Sequence, residues 1–152
     1  MIPEFESLND REVEIMFKAP ILVCLLVAGA DGNIDKKEIN EAISIAGRQA
    51  RSRAVLLEYL QSASEDFEDK IMILKQSYPE EAAEREALIV KELTELNAVF
   101  PKISKTFAVQ FYSMLKELAL KVASSSGGWL GLNSVGSEEE QYLDLKMIKD
   151  PA

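Results

Sequence analysis

The chain has 152 residues, of which 47% are hydrophobic and 28% charged, a composition ordinary for one globular domain with its own core. Asp and Glu (26) outnumber Lys and Arg (17), and the resulting formal charge of −9 argues against a nucleic-acid-binding protein. The sequence has no histidine, the commonest general base, and its one cysteine, Cys24, excludes an internal disulfide and a Cys-rich zinc site.

The beginning of the chain carries no pattern typical of a targeting segment, because its first residues are acidic where a signal peptide needs basic ones. The longest apolar run, residues 21–28, is far shorter than the roughly twenty residues that a membrane-spanning helix requires. We therefore expect a cytoplasmic, soluble protein in which this run is a buried core segment. Cys24 lies within the run, among apolar residues, so we expect its thiol to be unreactive.

The first half of the chain predicts a loose tail over residues 1–8, followed by four helices. Asn9 or Asp10 caps a helix that reaches Lys18, where Pro20 interrupts because proline lacks the N–H donor. A second, buried helix covers 21–28 and ends in a glycine-containing turn. A third helix starts at a capping box, Asp35 to Glu38, and a short one covers 53–61.

The second half predicts further helices separated by prolines and glycines. One runs from Ser64 to just before Pro79, and another covers 80–99 with Pro79 at its start. Pro101 opens the next, which runs out in the Ser-Ser-Ser-Gly-Gly stretch at 124–128. Its helical spacing places one set of apolar residues inward: Phe107, Phe111, Met114, Leu115, Leu118 and Val122. A second capping box, residues 137–140, opens a last helix that extends to about Lys149.

These elements predict an all-α protein: a single domain over residues 1–152 with about seven to eight helices. Two segments share one pattern, an apolar helix ending in Ala, a glycine-containing turn, and a capping box with Glu at its end. The segments are 22–38 and 115–140, and we interpret them as two pseudo-repeated helix-turn-helix halves around a shared core.

The acidic turn after the apolar run is the strongest candidate for chemistry. Its Asp-Gly-Asn-Ile-Asp spacing, ending in Glu38, matches the second half of an EF-hand loop. The first half does not match, because Val27 and Gly29 stand where the first two oxygen ligands belong, so a genuine EF-hand is excluded. Carboxylates in this pattern still suit a hard cation such as Ca²⁺ or Mg²⁺. A purely structural interpretation treats Asp35, Glu38 and Glu140 as members of helix caps and Asp31 as a turn residue.

Two glycine-containing motifs follow apolar helices in the chain. The first is Ala-Gly-Ala-Asp-Gly-Asn-Ile-Asp-Lys-Lys-Glu at 28–38, and the second is Ala-Ser-Ser-Ser-Gly-Gly-Trp-Leu-Gly-Leu at 123–132 followed by Ser-Glu-Glu-Glu at 137–140. Together they resemble the motifs of the tellurite-resistance TerB family and its TerB-like domains. The resemblance implies an all-helical fold with two related halves, an acidic site for a divalent metal, and a stress-response role in complexes associated with the inner face of the membrane.

The resemblance also implies the residues of the metal site. Asp31 and Glu38 match the acidic pair of the first turn, Glu140 holds the corresponding place in the second, and Asp35 stands at the cap position. The second turn departs from the pattern, since it has no aspartate like Asp31 and carries Leu-Asn-Ser at 132–134 in place of a glycine-richer, more basic stretch.

We interpret the protein as a non-catalytic TerB-like module that binds Ca²⁺ or another hard divalent cation and docks to protein partners. The alternatives are a metal-dependent, hydrolase-like enzyme that uses Asp31, Glu38 and Glu140, and a structural helical adaptor without metal. The only tryptophan, Trp129, lies with Leu130 in a glycine-flanked apolar stretch. That stretch either folds back onto the core or serves as the partner-binding element.

Overall fold

The computed structural model describes residues 2–28, 56–64, 67–127 and 144–152, and the regular structure within these ranges is entirely helical. This confirms the all-α class. In chain order the helices are α1 (Asp10–Ala28), α2 (Leu57–Ser64), α3 (Phe67–Ser77), α4 (Ala82–Thr94), α5 (Leu96–Val99) and α6 (Lys105–Gly127). Short 3₁₀ turns precede α1 at Pro3–Phe5 and α6 at Phe100–Lys102.

Helix α1 is continuous through Pro20, so the expected break between two helices at this proline is wrong. A proline within a helix leaves the carbonyl four residues earlier without its N–H donor. Here that carbonyl belongs to Met16, and it accepts a hydrogen bond of 2.5 Å from the Tyr59 hydroxyl. Tyr59 is completely buried in α2, and it therefore supplies the donor that Pro20 lacks.

The start of α1 is fixed by a reciprocal cap between Asn9 and Glu12. The Asn9 side chain accepts from the Glu12 backbone N–H at 2.8 Å, and the Glu12 carboxylate accepts from the Asn9 N–H at 3.0 Å. Glu12 also contacts the Lys102 ammonium at 2.6 Å. Lys102 and the neighbouring Asn9 N–H favour the charged form and lower the pKa of Glu12.

Helix α1 is the central helix of the described core. All seven residues from Ile21 to Val27 are buried, as expected for a helix that is apolar on every side. Its most extensive packing among the described helices is against α6. The inward face predicted for α6 is confirmed, because Phe107, Phe111, Met114, Leu115, Leu118 and Val122 are all buried.

Helices α1 and α6 begin at the same end of the molecule. The Ser7 hydroxyl donates to the Lys102 carbonyl at 2.8 Å, and the ring centroids of Phe5 and Phe107 are 5.7 Å apart. Phe17 and Phe111 lie one or two turns into α1 and α6. The centroid of the Tyr59 ring is 5.2 Å from that of Phe17 and 5.2 Å from that of Phe111. The contacts thus advance along both helices together, so the two helices run in the same general direction.

The segment before α1 is packed against the core, which corrects the expectation of a loose tail for residues 2–8. Ile2 and Phe5 are buried, and the Phe5 ring makes edge contacts with Phe17, Tyr59 and Phe107. Aromatic pairs in this geometry add about 0.5–1.5 kcal/mol each beyond the area they bury. The cluster therefore ties the segment to α1, α2 and α6 at once.

The prolines before α4 and α6 lie outside the helices, so the predicted starts at Pro79 and Pro101 are wrong. Helix α4 begins after Glu81, whose carboxylate accepts from the N–H groups of Ala83 and Glu84 at 3.3 and 2.8 Å. Pro101 lies in the 3₁₀ turn, and Ser104 caps α6 by accepting from the Phe107 N–H at 3.2 Å. A side-chain cap, rather than the proline, thus fixes each start.

The helix predicted over 80–99 is divided at Glu95 into α4 and α5. The Glu95 N–H donates to the Glu92 carbonyl, and the Ala98 N–H to the Glu95 carbonyl. Both are the three-residue bonds of a 3₁₀ turn, which tighten the chain between α4 and α5.

The helix expected to reach Lys149 is also wrong over its described part, because residues 144–152 form turns and irregular chain. Leu145 has φ 46°, in the left-handed region, which is incompatible with a right-handed helix. Its side chain and that of Ile148 are buried, so packing against the core determines the path of this segment.

No helix within the described ranges has both the length and the apolar character needed to cross a membrane.

Candidate functional site

The predicted site residues lie outside the described residues. This holds for the four acidic residues, Asp31, Asp35, Glu38 and Glu140, and for the expected docking residues, Trp129 and Leu130. Their mutual distances are therefore not part of the described structure. What the structure does give is the arrangement of the two helices that lead into both stretches.

Those two helices are α1 and α6. The first acidic stretch follows Ala28, the last residue of α1, and the second glycine-rich stretch follows Gly127, the last residue of α6. The two helices begin together and pack against each other, so we expect the chain to leave both of them toward the same side of the core.

Within the described residues, no group of three or more Asp, Glu or Cys side chains is arranged to hold a metal ion. Three carboxylates in these ranges belong to an ion-pair network that joins α1 to α4 and to Glu95, the residue after it. Arg11 makes a two-pronged contact with Glu95, at 3.0 and 2.8 Å, and Lys18 contacts Glu92 at 2.7 Å. Glu14 lies 3.8 Å from Arg11 and 3.7 Å from Lys18.

In this network every negatively charged side chain is paired with a positively charged one. Each of its three carboxylates faces a guanidinium or an ammonium group, and these opposite charges attract each other. Contact with Glu95 raises the pKa of Arg11 above its already high ordinary value. A cation arriving from solution would have to displace Arg11 or Lys18, so the network joins α1 to α4 and is not a metal site.

Tyr78 extends the same network from the segment before α4. Its hydroxyl donates to the second oxygen of the Glu92 carboxylate. Partial burial and this hydrogen bond to a carboxylate both raise the pKa of Tyr78 well above its ordinary value. Tyr78 is therefore a protonated donor at neutral pH and holds Glu92 in place; it has no role as a base.

Cys24 is the other group with intrinsic reactivity, and the structure confirms the expectation that it is a core residue. Its side chain is buried in α1, and burial raises the pKa of the thiol to about 12. Since the thiolate is the nucleophile and the metal ligand, a thiol with this pKa is inert at neutral pH.

Two surface cavities lie on either side of the end of the chain. One, of about 330 Å³, is lined by the α5–α6 junction, with Phe100, Ile103 and Lys105, and by residues 149–151. The other, of about 530 Å³, is lined by the exposed side of α6, with Tyr112 and Lys116, and by residues 144, 150 and 152. The Lys116 ammonium lies 5.3 Å from the centre of the Tyr112 ring. Sequence analysis did not indicate these cavities, because they depend on the non-helical path of residues 144–152.

A scan of the sequence against protein-family models finds no match, and searches of curated proteins and of solved structures find none either. The resemblance to TerB-like domains therefore rests on the motifs at 28–38 and 123–140 alone.

Proposed function

We propose that this protein is a TerB-like, non-catalytic module that binds a hard divalent cation and docks to protein partners in a stress response of the tellurite-resistance type. Asp31, Asp35, Glu38 and Glu140 would supply the carboxylate oxygens, and Ca²⁺ is the cation that such a ligand set favours. Trp129 and Leu130 would form the docking element, and the partners would include proteins at the inner membrane surface.

The observation that carries this proposal is the shared direction of α1 and α6. A cation site built from both acidic stretches requires the chain to enter the two stretches on one side of the core. The contacts from Ser7 to Lys102, from Phe5 to Phe107 and around Tyr59 support that arrangement. The proposed pseudo-repeat has the same basis, since each half consists of one of these two helices followed by a glycine-containing turn and a capping box.

The available ligand chemistry supports a hard cation over a softer metal. The sequence has no histidine, and its single thiol is buried with a pKa raised to about 12. Nitrogen and sulfur ligands, which zinc and copper prefer, are therefore lacking, and oxygen ligands remain.

The test is a calorimetric titration of the chelator-treated full chain with Ca²⁺, alongside thermal unfolding at millimolar Ca²⁺. We expect heat of binding and a rise in Tm. Four variants keep the structural role of each residue while removing its carboxylate: Asp31→Asn, Asp35→Ser, Glu38→Gln and Glu140→Gln. Asn still suits the turn, Ser still caps a helix, and Gln still completes a capping box. We expect each variant to raise the Kd for Ca²⁺ about tenfold, which is a loss of about 1.4 kcal/mol of binding free energy.

The matched control is Asp69→Asn, which removes the same charge from an exposed position on α3. It should leave Ca²⁺ binding unchanged. No heat and no shift in Tm with the unmodified chain would overturn the cation site and favour the structural adaptor. Equal weakening by Asp69→Asn would show that Ca²⁺ responds only to the overall negative charge, and that result would also contradict the proposal.

The docking part is tested separately through Trp129, since the chain has no other tryptophan. A docking element is accessible to solvent in the free protein, so we expect its fluorescence to be quenched by acrylamide. Emission at the wavelength of a fully buried indole, insensitive to the quencher, would contradict docking and would show that the stretch folds onto the core.

A further inference from the structure

Residues 144–152 lie across α5 and α6 and are held there by two apolar side chains. Leu145 is completely buried and Ile148 is 2% exposed, and both belong to the same core cluster as α1 and α6. Most of the residues between and around them, including Lys146, Lys149 and Asp150, are exposed. The segment thus has two anchors and an otherwise solvated surface.

The backbone of this segment is attached mainly through one side chain, Asn97 of α5. The Asn97 amide donates to the Met147 carbonyl at 2.9 Å and accepts from the Lys149 N–H at 2.7 Å. The amide therefore satisfies a carbonyl and an N–H two residues apart, as a neighbouring strand would do. The other hydrogen bond from the described helices is that of the Tyr112 hydroxyl to the Asp144 carbonyl, and at 3.4 Å it is weak.

The conformation of Leu145 opposes this attachment. Its φ of 46° lies in the left-handed region, where a side chain with a Cβ crowds the backbone. A non-glycine residue stays in this region only when surrounding contacts hold it there, and such residues are typical of segments that switch. Here the burial of the Leu145 side chain and the Asn97 hydrogen bonds hold the Leu145 backbone in this conformation.

The two cavities described above lie on opposite sides of the segment and share Asp150 in their linings. The end of the segment is therefore the wall between them. If the segment moved away, the cavities and the positions of Leu145 and Ile148 would form one continuous groove along α6, from Phe100 to Leu120.

We propose that residues 144–152 are a strap that opens as one unit while the helical core stays folded, and that its opening uncovers this groove. Asn97 is the clamp: it holds the closed strap at two backbone groups, and the strained Leu145 lowers the cost of release. The strap is a conformational device of the fold and does not depend on the cation site proposed above.

Hydrogen exchange of the full chain tests the strap, followed at the N–H groups of Ile148 and Lys149 and at those in the middle of α6. The Lys149 N–H donates to Asn97, so it is protected only when the strap is closed. The Ile148 N–H donates to the Leu145 carbonyl at 2.9 Å in a single turn of the strap, and we expect this turn to fray once Leu145 leaves the core. In the unmodified protein we expect both N–H groups to exchange faster than the N–H groups of α6, at a rate that rises with urea less steeply than theirs, because opening the strap exposes only part of the core.

Two variants separate the clamp from the fold. Asn97→Ala removes both hydrogen bonds and should speed exchange at Ile148 and Lys149 at least about tenfold, with less than about twofold change in α6. Asn97→Asp keeps an acceptor for the Lys149 N–H but sets a carboxylate oxygen against the Met147 carbonyl, which repels it, so this variant should also speed exchange in the strap. The control is Thr94→Ala, which removes a side-chain hydrogen bond to the Val90 carbonyl close by on α4. It should not alter exchange in the strap.

Two results would overturn the proposal. One is exchange at Ile148 and Lys149 that matches that of α6 and rises as steeply with urea, because the segment would then open only when the whole protein unfolds. The other is unchanged exchange in Asn97→Ala, because Asn97 would then not be the clamp. If Asn97→Ala fails to fold, the urea dependence of the unmodified chain and of Asn97→Asp still decides between these outcomes.

Discussion

At the scale of single residues, the pairing of Tyr59 with Pro20 explains how a proline is accommodated in the middle of the most buried helix. The two residues are 39 positions apart in the chain, and they are linked through one carbonyl, that of Met16. A buried carbonyl without a donor is costly, so the Tyr59 hydroxyl is essential only because residue 20 is proline.

A double-mutant cycle tests this dependence. Tyr59→Phe leaves the Met16 carbonyl without a partner, and we expect it to lower the free energy of unfolding by about 1–3 kcal/mol in urea denaturation. Pro20→Ala restores an N–H at the position where a helix normally donates to Met16. In that background Tyr59→Phe should therefore cost about 1 kcal/mol less.

The control for this cycle is Tyr112→Phe, which removes a hydroxyl whose hydrogen bond is 3.4 Å long and which we expect to change stability much less. If Tyr59→Phe cost the same in the unmodified chain and in the Pro20→Ala background, the explanation would be contradicted, since the hydroxyl would then act independently of the proline.

At the scale of the elements, the sequence predicted the faces of helices better than their ends. The inward face of α6 follows from the spacing of its apolar residues, which is a local property, and the structure confirms every one of the six. The all-α class was predictable for the same reason.

The errors all have non-local causes. The break expected at Pro20 is removed by a hydroxyl from α2, and the helix expected to reach Lys149 is replaced by a turn because Leu145 packs into the core. Phe5 is joined to three rings from three different elements, which nothing near it in the sequence indicates. The candidate cation site was predicted from motifs alone and stays a prediction.

At the scale of the whole molecule, the three tyrosines in the described part of the chain are buried or half-buried, and they make the fold sensitive to alkaline pH. Burial raises the pKa of Tyr59, Tyr78 and Tyr112 above the ordinary value of 10.0, and Glu92 raises that of Tyr78 further. Between the unfolded and folded pKa values the folded state binds more protons than the unfolded state. Their contribution to stability is therefore complete below about pH 10 and decreases as the pH rises toward the folded pKa values.

We expect the free energy of unfolding, measured by urea denaturation, to fall steadily from about pH 10 upward. Tyr78→Phe removes one of the three titrating groups and should make this decrease shallower, whatever it does to stability at pH 7. A decrease that is just as steep in Tyr78→Phe would show that Tyr78 is not among the groups responsible.

The position of α1 at the centre of the core also has a consequence for how the protein is made. Its apolar stretch leaves the ribosome early, yet its main packing partner, α6, begins only at Lys105. At a synthesis rate of roughly 5–20 residues per second, the apolar stretch of α1 stays exposed for roughly 4–15 seconds before synthesis of α6 begins. We therefore expect nascent chains of this length to bind chaperones that shield apolar segments.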